Sequence, residues 1–139
     1  MANTIRVTCA IIYDNGKILV AQRAENMDLP LKWEFPGGKI EENESAKACL
    51  IREIKEELNI EIEVKRAFKS NCHSYKEGRE IELIPFLCGY ISGHLVIREH
   101  RKILWVEPKN LTKLDWADAD VPIVIDFIEW FNENHEPNL

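Results

Sequence analysis

Residues 4–13, TIRVTCAIIY, and 17–23, KILVAQR, are runs rich in β-branched and other apolar side chains. Between them stands Asn15-Gly16, and Asn-Gly is the strongest short hairpin signal because both central positions of such a turn need a positive φ. An antiparallel pair over these two runs is expected. The stretch from Asn26 to Glu44 then holds two prolines and two glycines and reads as an irregular connection. A period of 3.6 takes over at Ser45. Ala46, Leu50, Ile54 and Leu58 recur at every fourth residue and form an apolar stripe. Ser45 suits the N-cap and Asn59 suits the left-handed position that ends a helix, so a helix is expected over residues 45–58. Residues 60–75 and 79–91 read as two strands joined around KEGR, and Lys102–Val106 as a short strand. PKNLTKL, 108–114, reads as a turn or short helix. Residues 119–134, ADVPIVIDFIEWFNEN, read as a closing amphipathic helix with Val121, Ile125, Ile128 and Phe131 near one side. Strands on both flanks of one helix, with a second helix at the end, predict an α+β or α/β sandwich.

Composition narrows the functional classes. A chain of 139 residues fits a single domain spanning 1–139, and an apolar fraction of 45% supports a core without disulfide staples. The net charge of −6 argues against a broad nucleic-acid-binding face. An acidic protein can still act on a phosphorylated small molecule if metal ions stand between its carboxylates and the phosphates. Four cysteines and four histidines are scattered without zinc-ligand spacing. Three of the cysteines lie in apolar stretches and read as buried free thiols, which suits a reducing cytoplasm. No apolar run approaches a membrane span, and the N-terminus lacks the features of a signal peptide. The expectation is a cytoplasmic protein, a monomer, with no membrane contact.

The chemistry is concentrated in REIKEEL, residues 52–58. Glu53, Glu56 and Glu57 share one arc of a helix, where like charges repel by a few tenths of a kcal/mol per pair. The heptapeptide by itself is common on solvated helix faces. It belongs, however, to a longer pattern, GKIEENESAKACLIREIKEELNI, residues 38–60. Gly38, Glu44, Arg52, Glu53, Ile54, Glu56, Glu57 and Ile60 match the spacing of the Nudix box, and the chain resembles the Nudix hydrolase family on those residues. Asn59 stands where the family usually has glycine. WEFPGGKIEENES looks like the matching stretch of MutT-type enzymes. REHRKILWVEP and WADADVPIVIDF look like the subgroup of CTP pyrophosphohydrolases and 8-oxo-dGTP diphosphatases.

The resemblance implies an α/β/α sandwich around a mixed sheet. It implies a Mg²⁺-dependent (or Mn²⁺-dependent) pyrophosphohydrolase that cleaves a small nucleoside triphosphate to the monophosphate and pyrophosphate. CTP-type nucleotides and oxidised nucleotides such as 8-oxo-dGTP are equally open as substrates, the latter making the enzyme a sanitiser of the nucleotide pool. Glu53, Glu56 and Glu57 become metal ligands, joined by the Gly37 carbonyl and by Glu99 from a later loop. The general base is Glu53 or Glu99. Arg52 is expected to hold a box glutamate in place, and Glu44 to be tied to Arg52 or to the loop. Arg23, Gly38 and Arg79 are expected at the phosphates, and Phe35 and Asp120 at the base. An ionised Asp120 only accepts hydrogen bonds and so favours an amino group on the base; a protonated one also donates.

Ordinary structural roles stay open beside these. Phe35 and Trp33 can be core, Asp120 a helix cap, Glu99 and Arg23 surface charges, and His73, His94 and His100 read as loop residues. Other Nudix activities also stay open. The proline typical of ADP-sugar hydrolases is missing at position 75, which is Tyr75, and one tyrosine there is a weak pointer to dinucleoside polyphosphates. A non-catalytic nucleotide-binding module is disfavoured because all four box glutamates are present.

Overall fold

The computed structural model describes residues 3–76 and 78–134, so residue 77 of the expected KEGR turn lies outside the described residues, as does the side chain of Tyr75. The strands are β1 (Asn3–Asp14), β2 (Lys17–Gln22), β3 (Trp33–Glu34), β4 (Gly37–Lys39), β5 (Ile60–Ala67), β6 (Asn71–Lys76), β7 (Arg79–Gly93) and β8 (Lys102–Val106). Helix α1 spans Ala46–Leu58 and helix α2 spans Val121–Asn134. Short 3-10 turns occupy Pro108–Lys113 and Asp118–Asp120.

Strand β1 organises the sheet. It runs parallel to β7 from Asn3↔Arg79 to Ile12↔Cys88, whereas every other pairing is antiparallel, so the sheet is mixed. Side chains of β1 alternate between two cores, as a period of two requires. Cys9 and Ile11 pack with Ile123, Val124 and Phe127 of α2. Ala10 and Ile12 pack with Leu50, Ile54 and Leu58 of α1. Helix, sheet and helix form the expected α/β/α sandwich. The β1–β2 hairpin turns on Asn15 and Gly16, with φ of 52° and 79°. Among the described residues no helix is long and apolar enough to cross a membrane.

Three local expectations need correction. The stretch from Asn26 to Glu44 is not wholly irregular: β3 pairs with β2, and β4 pairs with β1. Two- and three-residue strands carry no periodicity that a sequence can display. The run 60–75 is two strands rather than one. Strand β7 faces β5 as far as Ala67↔Phe86 and faces β6 from Asn71↔Leu83, and the break lies at Pro85. Phe68 N–H donates to the Pro85 carbonyl there, but proline has no N–H to return on that edge, so the ladder lapses. In α2 the buried face is Ile123, Val124 and Phe127, flanked by partly buried Ile128 and Phe131. Val121 and Ile125, expected on that side, are exposed.

Candidate active site

Helix α1 is set rigidly before its acidic residues come into play. The Ser45 hydroxyl accepts from Ala48 N–H at 3.1 Å, closing the N-terminus. Asn59 takes φ 60° at the other end, its N–H reaches the Lys55 carbonyl, and its side chain donates to the His94 carbonyl at 3.1 Å. Arg52 then organises the polar side. Its Nε and Nη2 donate to the two oxygens of Glu44 at 2.7 and 3.0 Å, a bidentate pair. The Arg52 hydrogen bond, with a further one from Glu41 N–H, lowers the Glu44 carboxyl to about 2. Arg52 Nη1 reaches Glu53 Oε2 at 3.1 Å and Glu56 Oε2 at 3.2 Å.

The box glutamates part company at this point. Glu56 is exposed and turned toward Arg52. Glu53 lies over Gly38, and a Cβ there would overlap its carboxyl carbon, so any side chain at 38 would displace the Glu53 carboxylate. Gly37 is needed for a different close approach, because its Cβ would fall on the Thr8 carbonyl of the paired β1. Glu57 is buried, only 5% exposed. Burial first, then a hydrogen bond with Glu53, then the charges of Glu99, Glu53 and Glu34 push its carboxyl well above the ordinary carboxylate range.

Glu57, Glu99, Gly37 and Gly38 line a cavity of about 560 Å³, and Phe35 and Asp120 line the same cavity. Phe35 is buried and rests on Trp116, with ring centroids 4.8 Å apart. Its N–H donates to Asp120 Oδ2 at 2.9 Å. Asp120 is buried as well, and burial, reinforced by Glu34, raises its carboxyl to about 8 although the Phe35 bond and Arg23 act the other way. A neutral Asp120 keeps one oxygen on Phe35 and has the other to donate or accept in the cavity. A concave apolar chamber with a few polar groups and shifted carboxyls is the physical profile of a small-molecule active site.

Comparison with known proteins identifies the scaffold. The NUDIX domain pattern matches residues 3–131. The chain belongs to the NUDIX family. It is a MutT-like Nudix hydrolase. It is 38% identical to the CTP pyrophosphohydrolase of Escherichia coli K12 over 124 residues, 89% of this chain and 91% of that protein. It is 28% identical to the 8-oxo-dGTP diphosphatase of the same strain over 111 residues, covering 80% of this chain and 85% of that one. The solution structure of a MutT Nudix hydrolase from methicillin-resistant Staphylococcus aureus 252 superposes with a TM-score of 0.76 at 42% identity, covering 94% of this chain and 99% of that chain.

Nudix hydrolases in general use divalent metal ions. The donors of this Nudix protein fit a hard cation. Glu53, Glu57 and Glu99 are oxygen donors; burial, then Glu53 and the neighbouring charges, hold the proton on Glu57, and a divalent charge would offset them. Among the described residues no three His, Cys, Asp or Glu side chains form a ready-made ligand cluster, and Glu56 is the box glutamate that stands apart.

The remaining expectations divide. Arg23 lines the cavity but is held by Glu34 Oε1 at 2.7 Å and by the Asp28 carbonyl at 2.5 Å. Arg79 is exposed at the start of β7 and is not among the residues lining the cavity, although Ile81 and Leu83 on the same strand face are. Glu99 lines the cavity. His73 and His100, expected in loops, both line it too, His73 from β6. His100 is buried and bonds Glu34 Oε2 through Nε2 at 2.8 Å. Glu34 and His100 were missed because each sits beside a more conspicuous residue, Phe35 and Glu99. The one available signal was that a second polar group followed an expected ligand in REHR.

Proposed function

We propose that this Nudix hydrolase is a Mg²⁺-dependent nucleoside triphosphate pyrophosphohydrolase, with Mn²⁺ as a substitute, releasing a nucleoside monophosphate and pyrophosphate. The observation that carries the reading is that a single cavity is lined both by the carboxylates Glu57 and Glu99 and by Phe35 and Asp120. A triphosphate with its base spans such a chamber. The similar proteins act on CTP and 8-oxo-dGTP by their names, and those two nucleotide classes are the candidates here.

Glu53, Glu57 and Glu99 would hold the cation, with the Gly37 carbonyl and Glu56 as further oxygens. When bound, it neutralises phosphate charge and lowers the pKa of a water. The chain's own residues do the rest. Glu53 or Glu99 takes the proton from the attacking water. Arg52 aims Glu53 from a fixed point on Glu44. Arg23 offers its remaining N–H groups to the phosphates. Phe35 gives the base an apolar surface, and Asp120 reads its edge. The partner is a small nucleotide and not a nucleic acid, in keeping with the net charge of −6. We read the protein as a cytoplasmic monomer, with buried Cys9, Cys49 and Cys88 as free thiols.

The test is pyrophosphate release, with and without Mg²⁺, over CTP, dCTP, 5-methyl-dCTP, 8-oxo-dGTP, 2-hydroxy-dATP, dGTP, ADP-ribose and a diadenosine polyphosphate. Release that needs Mg²⁺ and falls at least 100-fold in Glu53→Gln is the expected outcome. The highest kcat/KM names the substrate class. Cleavage of ADP-ribose or the dinucleotide alone would overturn the triphosphate reading.

A further inference from the structure

The mechanism above makes no use of His100. The His100 side chain is only 3% exposed. Its Nε2 stands 2.8 Å from Glu34 Oε2, and the other Glu34 oxygen accepts from Arg23 at 2.7 Å. A carboxylate paired with arginine can only accept, so Nε2 carries the hydrogen. That leaves Nδ1 as the ring's other nitrogen. That atom is buried with no hydrogen-bond partner among the described residues, and it lies 4.0 Å from Glu57 Oε1. A buried orphan polar atom is uncommon, and here it points at the most deeply buried of the box glutamates.

We propose that His100 is the positioning residue of the cation site: anchored by Glu34, and through it by Arg23, its ring packs against Glu57 and holds that carboxyl in place. With Nε2 fixed on Glu34, the ring stands 4.0 Å from Glu57 Oε1 and limits where that carboxyl can turn. Loss of the ring or of its anchor frees the Glu57 side chain and weakens the cation site. The chain Arg23–Glu34–His100–Glu57 also joins the arginine expected at the phosphates to the carboxylate expected at the metal.

This inference rests on the reading of Glu57 as a cation ligand, and the experiment separates the two. Mn²⁺ binding to the full chain, without nucleotide, is followed by the electron paramagnetic resonance signal of free Mn²⁺. Wild type is compared with Glu57→Gln, His100→Ala, His100→Gln and Glu34→Gln, and each variant is melted in EDTA. Groups that orient a metal ligand typically change affinity 10- to 100-fold. His100→Ala and Glu34→Gln are expected to raise the Mn²⁺ Kd by about ten-fold or more. His100→Gln, whose amide nitrogen can reach Glu34 as Nε2 does, is expected to recover most of the loss. If His100→Ala does not fold, Glu34→Gln and His100→Gln carry the comparison, since Glu34 is only half-buried. Wild-type Mn²⁺ affinity in His100→Ala and Glu34→Gln, with binding lost in Glu57→Gln, overturns the role of His100 and leaves the cation site standing. Wild-type affinity in Glu57→Gln overturns both.

Discussion

At the scale of single residues, two carboxyls of the cavity are shifted upward and one carboxyl outside it is shifted down, and the difference is the partner each has. Glu44 has Arg52 in a bidentate pair and is held ionised. Asp120 has one backbone N–H and an apolar enclosure, and its carboxyl rises to about 8. A group raised in the folded state contributes stability fully below its unfolded value, near 3.8 for Asp120, and loses it as pH rises through the folded one. Asn in its place keeps an oxygen for Phe35 N–H and carries no charge at any pH. Asp120→Asn is therefore expected to gain on wild type as pH increases, by up to about 4 kcal/mol between pH 5 and pH 9. Urea unfolding of both proteins at the two pH values measures it. An equal difference at both would show that Asp120 is already ionised at pH 5.

At the scale of elements, the ends of α1 fix where its glutamates point. Asn59 sits at φ 60°, and Gly93, at φ 108°, lies against it so closely that a Cβ would crowd the Asn59 carbonyl. Asn59→Ala places a Cβ residue without a compensating side-chain bond in the left-handed region and should cost roughly 1 kcal/mol. Asn59→Gly relaxes the backbone but loses the bond to the His94 carbonyl, so it should be close to neutral. Thermal melts of the two variants give the order. These features show what a sequence can disclose. The Asn15-Gly16 turn, the Ser45 cap, the Asn59 end and the Leu50–Ile54–Leu58 stripe are local, and the chain displays them. The parallel union of β1 with β7 pairs residues 76 positions apart, and the Pro85 break and the two short strands around Phe35 depend on which strands lie alongside rather than on a local pattern. The carboxylates were legible because a helix repeats them at fixed spacing. His100 and Glu34 meet only after the sheet has brought residues 66 positions apart together, and neither has a local pattern.

At the scale of the whole molecule, the site works against the fold that holds it. The chain carries a net charge of −6, and its cavity gathers Glu34, Glu57, Glu99 and Asp120. Glu57 has its carboxyl raised above the ordinary 4.5, chiefly by burial, so its contribution to stability is complete below that value and declines as pH rises above it. A divalent cation reverses this, because it binds the ionised carboxylate and only the folded chain assembles the site. Binding at 100 times Kd stabilises by about 2.7 kcal/mol, enough to move a melting temperature by several degrees in a domain of this size. In EDTA the melting temperature is expected to fall from pH 6 to pH 9. Mg²⁺ is expected to restore it, and by more at pH 9, where releasing the Glu57 proton to admit the ion costs less than at pH 6. Glu57→Gln should melt higher than wild type in EDTA at pH 9 and respond little to Mg²⁺. Calorimetry of the two proteins with and without Mg²⁺ decides the matter. A variant that keeps the full Mg²⁺ response would place the ion on Glu53, Glu56 and Glu99 and leave the burial of Glu57 as a packing feature of α1.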